Sequence, residues 1–299
     1  MILAVGEALV EFRREPADGR LAEPGSWAGP FPSGAPAIFA SVAARLGAPT
    51  ALVGCVGDDA FGDAFRERLR RDGVSEEGIR VDAQRATATA FVSYHDDGTR
   101  SFWFSVPDSA AVELDPQQAQ RLAERADWLH VSGSTIGFGG TPARVVEEAA
   151  ATVLERGGRI SLDPNVRADA DRPTRERVAR LARVAHVLLP SEGELAALGL
   201  DAEDLARNGR IICETRGRAG ARVFGGPVGL DPVPVPIAEQ DEVDPTGAGD
   251  TFAAALVTAL RDGVDEIAAT GFACETAAQS VGVLGAMEAP IAPRSRTMP

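Results

Sequence analysis

Short apolar runs alternate with longer amphipathic segments along most of the chain. Ile2–Val5 is wholly apolar and stops at Gly6-Glu7, the pattern of a buried central strand. Over 8–13, Leu9, Val10 and Phe12 alternate with Glu11 and Arg13, as in a half-exposed strand. Residues 15–32 lose this order, are rich in Pro and Gly, and read as loop or edge structure. The segment 36–46 reads as helix with Gly47 at its C-cap, 50–56 as a second buried strand, and 61–71 as an amphipathic helix closed by Asp72-Gly73. The period then changes. Residues 87–95 and 100–106 are rich in β-branched and aromatic side chains, and Asp96-Asp97-Gly98 between them reads as a hairpin turn. Helix and strand then alternate again: helix 117–125, strand 128–132, helix 142–156, strand 159–163, helix 175–183, strand 186–189, short helix 191–198 and strand 210–214. Residues 221–224 and 233–236 read as antiparallel edge strands, the second marked by prolines. Helices at 248–261 and 265–281 follow, and the tail from 290 to 299 reads as loose.

Strand alternating with helix predicts an α/β fold with a mostly parallel sheet covered on both faces. In such sheets ligands bind beyond the carboxyl ends of the strands. Gly6-Glu7, Ser132-Gly133, Asp163-Pro164-Asn165, Ser191-Glu192 and Glu214-Thr215 all fall at expected strand ends, so polar residues recur along the edge where a site would lie. The hairpin interrupts the alternation and suggests a small sheet standing off the main body.

Composition narrows the chemistry. A chain of 299 residues suits one large α/β domain or two small ones. A net charge of −14 argues against non-specific nucleic-acid binding, so an anionic ligand must be held by local positive features. The 30 basic residues are all Arg. Without Lys, a Walker-type Gly-Lys-Ser/Thr loop and Schiff-base chemistry are both excluded. Cys55, Cys213 and Cys274 are too widely spaced for a Cys-x-x-Cys motif and read as buried free thiols in a reducing compartment. His95, His130 and His186 are scattered along strands and receive no metal or catalytic role. The amino terminus lacks the basic region and long apolar core of a signal peptide, and no run is apolar enough to span a membrane, so the expected location is cytoplasmic.

The most informative stretch is Asp244-Pro245-Thr246-Gly247-Ala248-Gly249-Asp250, which leads into the Ala- and Leu-rich run 253–260. Pro245 favours a turn, the glycines permit close backbone approach, and a helix starting near Ala248 aims its unpaired N–H groups and positive dipole end at whatever lies above. This is an anion site. Asp250 at its mouth is unexpected for an anion site unless it has a task, and accepting a proton from a hydroxyl that attacks phosphate is such a task. The heptapeptide resembles the signature of the ribokinase-like (PfkB) carbohydrate kinases. The resemblance implies a three-layer α/β/α domain covering 1–299, with a small β-sheet lid built from about 8–32 and 86–107. It implies that Asp250 is the catalytic base and that the amides of Gly247, Ala248 and Gly249 form an anion hole.

Other segments are similar to the family in order and spacing. Ser33-Gly34-Ala35-Pro36-Ala37-Ile38, followed by Leu46-Gly47 and Val56-Gly57-Asp58-Asp59-Ala60-Phe61-Gly62, resembles the first family signature, with Ser33 where Gly is usual and Ile38 where the family has a sugar-binding Asn. Gly57-Asp58 reads equally as a turn with a helix cap. Glu11 stands where many members carry a sugar-binding Asp. Asp163-Pro164-Asn165-Val166-Arg167 is similar to a segment of fructokinases and 2-keto-3-deoxygluconate kinases, which places Asn165 near the phosphates and Arg167 near the substrate. Ser191-Glu192-Gly193-Glu194 resembles an Asn-x-x-Glu motif that positions Mg²⁺ through water; Glu194 matches the Glu, and Ser191 also reads as a helix N-cap. Thr215, Gly217 and Gly220 match a loop that lies along ATP, and Asp244 shapes the turn beside it. On the lid, Arg100, Phe102 and Phe104 could face the substrate or a partner lid, while for Phe102 and Phe104 packing between lid and body is the simpler reading.

The resemblance therefore implies an ATP- and Mg²⁺-dependent sugar kinase, with a monovalent cation such as K⁺ near Asp244 in some members and a homodimer formed through the lids. Substrate contacts would come from Glu11, Gly34, Ile38, Arg100, Phe102, Arg167 and Asp250. Fructose is the first candidate; 2-keto-3-deoxygluconate and a nucleoside are alternatives. The rival from another class is a sugar- or nucleotide-binding regulatory protein that kept the fold without turnover.

Overall fold

A computed structural model describes residues 1–15, 19–95, 99–166 and 170–294. The strands are β1 (Ile2–Val5), β2 (Leu9–Glu15), β3 (Ser26–Ser33), β4 (Thr50–Gly57), β5 (Ser75–Asp82), β6 (Ala88–Tyr94), β7 (Arg100–Phe104), β8 (Trp128–Ser132), β9 (Arg159–Asp163), β10 (Val187–Leu188), β11 (Ile211–Thr215), β12 (Ala221–Phe224) and β13 (Val233–Val235). The helices are α1 (Ala35–Arg45), α2 (Ala60–Asp72), α3 (Pro116–Ala123), α4 (Gly133–Gly137), α5 (Gly140–Glu155), α6 (Arg172–Val184), α7 (Glu194–Ala197), α8 (Ala202–Arg207), α9 (Ala248–Arg261) and α10 (Glu266–Ser280).

Nine strands form one sheet in the order β13-β12-β11-β10-β9-β8-β1-β4-β5. The seven from β11 to β5 pair in parallel, and β12 and β13 add antiparallel edges. β1 shows why its apolar run is unbroken. Ile2 and Ala4 pack into a core shared with α1, α2, α9 and α10, whereas Leu3 and Val5 pack into a second core shared with α3, α5 and α6. Successive side chains point to opposite faces, and both faces are covered by helices. The three-layer expectation holds.

The other four strands form a separate sheet in the order β3-β2-β6-β7. β2 and β6 run parallel, and β6 and β7 pair antiparallel from Ala90↔Phe104 to Tyr94↔Arg100. The expected turn at Asp96-Asp97-Gly98 lies outside the described residues. β3 emerges from the segment whose prolines read as loop or edge. It is an edge strand carrying Pro30 and Pro32, and its register against β2 shifts between Glu11 and Arg13. Proline is tolerated there because an edge strand has one side with no ladder to complete.

Several local readings need correction. β5 escaped the apolar pattern because it is the polar edge of the large sheet. The short helix read at 191–198 is only Glu194–Ala197, and its N-cap is Gly193, not Ser191; α8 follows as a separate turn. The N-cap of α2 is Asp59 rather than Asp58. Its carboxylate accepts the amides of Phe61 and Gly62 and both the amide and hydroxyl of Thr87, tying α2 to the start of β6. The segment after Pro290 is held rather than loose as far as Arg294, whose amide bonds Leu46 O at 3.2 Å and whose guanidinium pairs with Asp262. The three cysteines are buried free thiols. Among the described residues, no helix is long and apolar enough to cross a membrane.

Candidate active site

The carboxyl ends of β1, β8 and β9 deliver a connected set of polar side chains. Gly133 follows β8 where the chains approach so closely that a Cβ would lie 1.6 Å from Pro164 O, so only glycine fits. Glu7, just beyond β1, is buried and accepts hydroxyl bonds from Ser134 at 2.7 Å and Thr135 at 2.6 Å. Ser134 Oγ meets Ser132 Oγ at 2.8 Å, and the Asn165 amide nitrogen reaches the same Ser132 hydroxyl at 3.4 Å. Asn165 sits at φ 39°, and its backbone N–H donates to Asp163 Oδ1 at 3.1 Å. Glu194 joins two loops: Oε1 accepts the Val166 amide at 2.8 Å and Oε2 the Ser191 amide at 2.9 Å. Arg167, the expected substrate contact after Val166, lies outside the described residues.

α9 begins where the glycine motif suggests. Gly247 is its N-cap, at φ 78°, with no side chain capping the helix. A Cβ on Gly247 would crowd Ala286 Cβ at 2.9 Å and Ile38 Cγ2 at 3.1 Å. The Ala248 amide bonds Pro245 O at 3.3 Å and the Thr251 amide bonds Gly247 O at 2.8 Å, while the Gly249 amide between them has no backbone acceptor among the described residues. Around Gly249 itself, a Cβ would meet open space. The Gly249 amide is thus an unpaired donor of the helix start, on an exposed residue. Asp250 lies in the same first turn and is half-buried.

The turn is held from behind by Asp244, which is 1% exposed. Its Oδ1 accepts the Thr246 amide at 3.0 Å and the Tyr94 hydroxyl at 3.0 Å, and its Oδ2 accepts the Gly285 amide at 3.0 Å. The Asp244 carboxylate thus faces the loop interior and the small sheet.

Three carboxyls share one electrostatic environment. Burial raises Asp250 well above the ordinary carboxylate range, and the like charges of Asp163 and Glu7 push it further. Asp163 is pushed up to about 7, by burial and then by Glu194, against the opposing Asn165 amide. Burial also raises Glu7, against the Thr135 and Ser134 hydroxyls. Carboxyls converging on the turn before α9 suit a place where a proton or cation is taken up. No group of three or more His, Cys, Asp or Glu among the described residues could itself cage a metal. A hard cation that keeps most of its waters fits this donor set better than one bound directly.

The remaining expected residues fall on either side. Gly34 caps α1 and is buried. Ile38, in α1, is 2% exposed and lies beneath Gly247, offering no polar atom to a ligand. Glu11 on β2 is buried and pushed up to about 7, by burial and then by Asp244, opposed by a hydrogen bond from Thr246 and by Arg13 and Arg100. Arg100 lies over the rings of Tyr94 and Phe102. On the opposite side, Thr215 ends β11 and Gly217 is open around its α-carbon, whereas a Cβ at Gly220 would lie 2.2 Å from Val235 O. Gly220 therefore has a packing reason of its own. The sequence reading missed Tyr94, Arg13 and the hydroxyls of Ser134 and Thr135. Glu7 and Ser132 stood at expected strand ends without a role, and nothing local to Tyr94 signals its partner 150 positions away.

The chain is similar to known proteins over nearly its whole length. The model of the pfkB family carbohydrate kinases matches residues 1–292. A fructokinase of Klebsiella pneumoniae is 35% identical over 272 residues, covering 87% of this chain and 84% of that protein. An Escherichia coli protein provisionally named ribokinase II, solved in complex with ATP and Mg²⁺, superposes with a TM-score of 0.89 at 34% identity, covering 96% of this chain and 94% of its own. A Vibrio cholerae fructokinase, solved with fructose, ADP and calcium, gives a TM-score of 0.80 at 27% identity, covering 98% and 96%.

Proposed function

The chain belongs to the pfkB family of carbohydrate kinases, and on that premise we propose that it transfers the γ-phosphoryl group of ATP to a hydroxyl of a neutral ketose, fructose first. The observation that carries this reading is Asp250: a carboxyl raised by burial and by Asp163 and Glu7, in the first turn of a helix whose Gly249 amide is open. Asp250 takes the proton of the attacking hydroxyl, and the Gly247, Ala248 and Gly249 amides stabilise charge on the phosphoryl group in flight.

Mg²⁺–ATP, when bound, supplies the phosphoryl group and neutralises part of its β/γ charge. Thr215, Gly217, Gly220 and Asn165 hold the nucleotide side. Glu194 acts on the cation through water, since both its oxygens already accept backbone amides and cannot swing out without releasing two loops. Asp244 serves this side indirectly, by shaping the turn.

Glu11, Arg100, Phe102 and the Gly34 backbone line the acceptor side, and Arg167 follows the Asn165 loop. The buried Glu11 carboxyl, raised to about 7, can exchange hydrogen bonds with a sugar hydroxyl, which supports a neutral acceptor. Trp103 and Phe102 on the β7 edge are 54% and 41% exposed. That edge suits pairing with a second copy of the chain; sedimentation of Trp103→Ser as a monomer beside a dimeric parent would support it, and a monomeric parent would refute it.

The test is ADP release across hexoses, pentoses, sugar acids and nucleosides. Highest turnover on fructose is expected. No turnover on any acceptor would sink the kinase reading in favour of a binding protein, and a sugar acid as best acceptor would overturn the argument from Glu11.

A further inference from the structure

Tyr94 is the only tyrosine in the chain. It belongs to β6 of the small sheet, yet its hydroxyl bonds Asp244 Oδ1 and shares a hydrogen bond with the Thr246 hydroxyl. Arg13, on β2 of the same sheet, lies 4.7 Å from the Tyr94 ring centroid and donates to Val243 O at 2.7 Å; its guanidinium also comes within 3.8 Å of Asp244 Oδ2. Glu11, on the same strand as Arg13, is pushed up by the like charge of Asp244. The small sheet therefore sends Tyr94 and Arg13 to residues 243–246, the stretch immediately before Gly247.

A buried carboxylate must be supplied with donors. Two of the donors to Asp244, the Thr246 and Gly285 amides, come from the loops it organises. The others come from the small sheet: the Tyr94 hydroxyl, reinforced by the Arg13 charge. With the sheet seated, Asp244 is fully supplied and Thr246 is held from two sides. Without the Tyr94 hydroxyl, Asp244 keeps the two amides and the more distant Arg13 charge, and the backbone entering Gly247 loses a restraint from the small sheet.

We infer that Tyr94 is a positioning residue for phosphoryl transfer: its hydroxyl, acting on Asp244 and Thr246, makes the aim of the Gly247–Gly249 amides depend on the small sheet being seated over the acceptor. This rests on the proposed transfer site. Its consequence is coupling. The anion hole is well formed only when the acceptor side is covered, so ATP is spent on the acceptor rather than on water.

Tyr94→Phe removes the hydroxyl and keeps the ring under Arg13. Three measurements on the full chain test it: hydrogen exchange of amides 243–250 without ligands, kcat and KM with fructose, and ADP released per sugar phosphate formed. Exchange is expected to quicken and kcat to fall about tenfold or more, as for loss of one hydrogen bond to a charged group. The acceptor KM should move less than kcat, and ADP release should exceed sugar phosphate formation. Thr246→Val should act in the same direction, and the double variant should lose less than the product of the singles. Faster exchange with kcat and coupling within twofold of the parent would overturn the inference, leaving Tyr94 a purely structural contact. Unchanged exchange, kcat and coupling would overturn it too, while the parent's turnover keeps the kinase reading. A parent that phosphorylates no acceptor would sink the kinase reading, and with it any role for Tyr94 in transfer, whatever the exchange of the variant.

Discussion

The two sides of the site are built from different materials. The proposed phosphate side is mostly backbone: a glycine at φ 78°, an open Gly249 amide and the start of α9, with Asp250 in its first turn. The proposed acceptor side is mostly side chains, Glu11, Arg13, Tyr94 and Arg100, carried by strands of a second sheet; Glu11 is buried, and Arg13 and Tyr94 reach the Asp244 loop. A backbone site depends on local conformation and is written in consecutive residues. A side-chain site depends on which strands come together, and it can change its ligand by single substitutions without disturbing the turn beside it. Ile38 illustrates the separation: it supplies no polar contact to the acceptor side, yet packs under Gly247 on the phosphate side.

The sharpest way to divide the two sides is Asp250→Asn. It keeps shape and removes the base, so kcat is expected to fall by about 10²–10⁴ while nucleotide binding, read by calorimetry, stays within a few-fold. Turnover at the parent rate would show that Asp250 is not the base. Gly247→Ala attacks the turn itself. Its Cβ would press on Ala286 and Ile38 at a left-handed position. A loss of about 10²-fold in kcat is expected, near that of a removed oxyanion donor, together with a lower melting temperature. Pairing it with Ile38→Val should recover part of the stability, and failure to do so would place the strain elsewhere.

On the acceptor side the expected effects are smaller. Glu11→Gln should raise the KM for the acceptor about tenfold, with kcat and the KM for ATP nearly unchanged, as for one lost hydrogen bond to a charged group. A change confined to the ATP KM would move Glu11 to the other side of the comparison.

The smallest effect is on stability and spans both sides. Glu11 and Asp163 are each pushed up to about 7, and Glu7 and Asp250 are raised as well. A raised carboxyl binds its proton more readily in the folded state. Between the unfolded and folded pKa values the native chain therefore holds more protons, and stability falls as pH rises. The ligand-free melting temperature should accordingly climb as pH drops from about 8 to about 5. Asp59 and Asp127 are lowered, Asp127 to about 2, so their contribution is lost only at more acid pH and does not mask the trend. Glu11→Gln should flatten part of the slope, and a slope of opposite sign would refute the burial argument.

Much of this was determined by local sequence. Apolar strands flanked by helices specified the parallel sheet, because β1 and β4 are hydrophobic on both faces and only a covered sheet satisfies both. The glycine motif specified the start of α9, because its conformational demands lie within consecutive residues. Other features were decided only in three dimensions. β3 and β5 are edge strands whose polar or proline-bearing sequences carry no apolar signature. Ser191 lost the N-cap to Gly193, where the backbone turns left-handed. Tyr94 and Asp244 are separated by 150 positions. Their contact arises from two sheets meeting, and no periodicity along one chain records which strands of one sheet will face which loop of another.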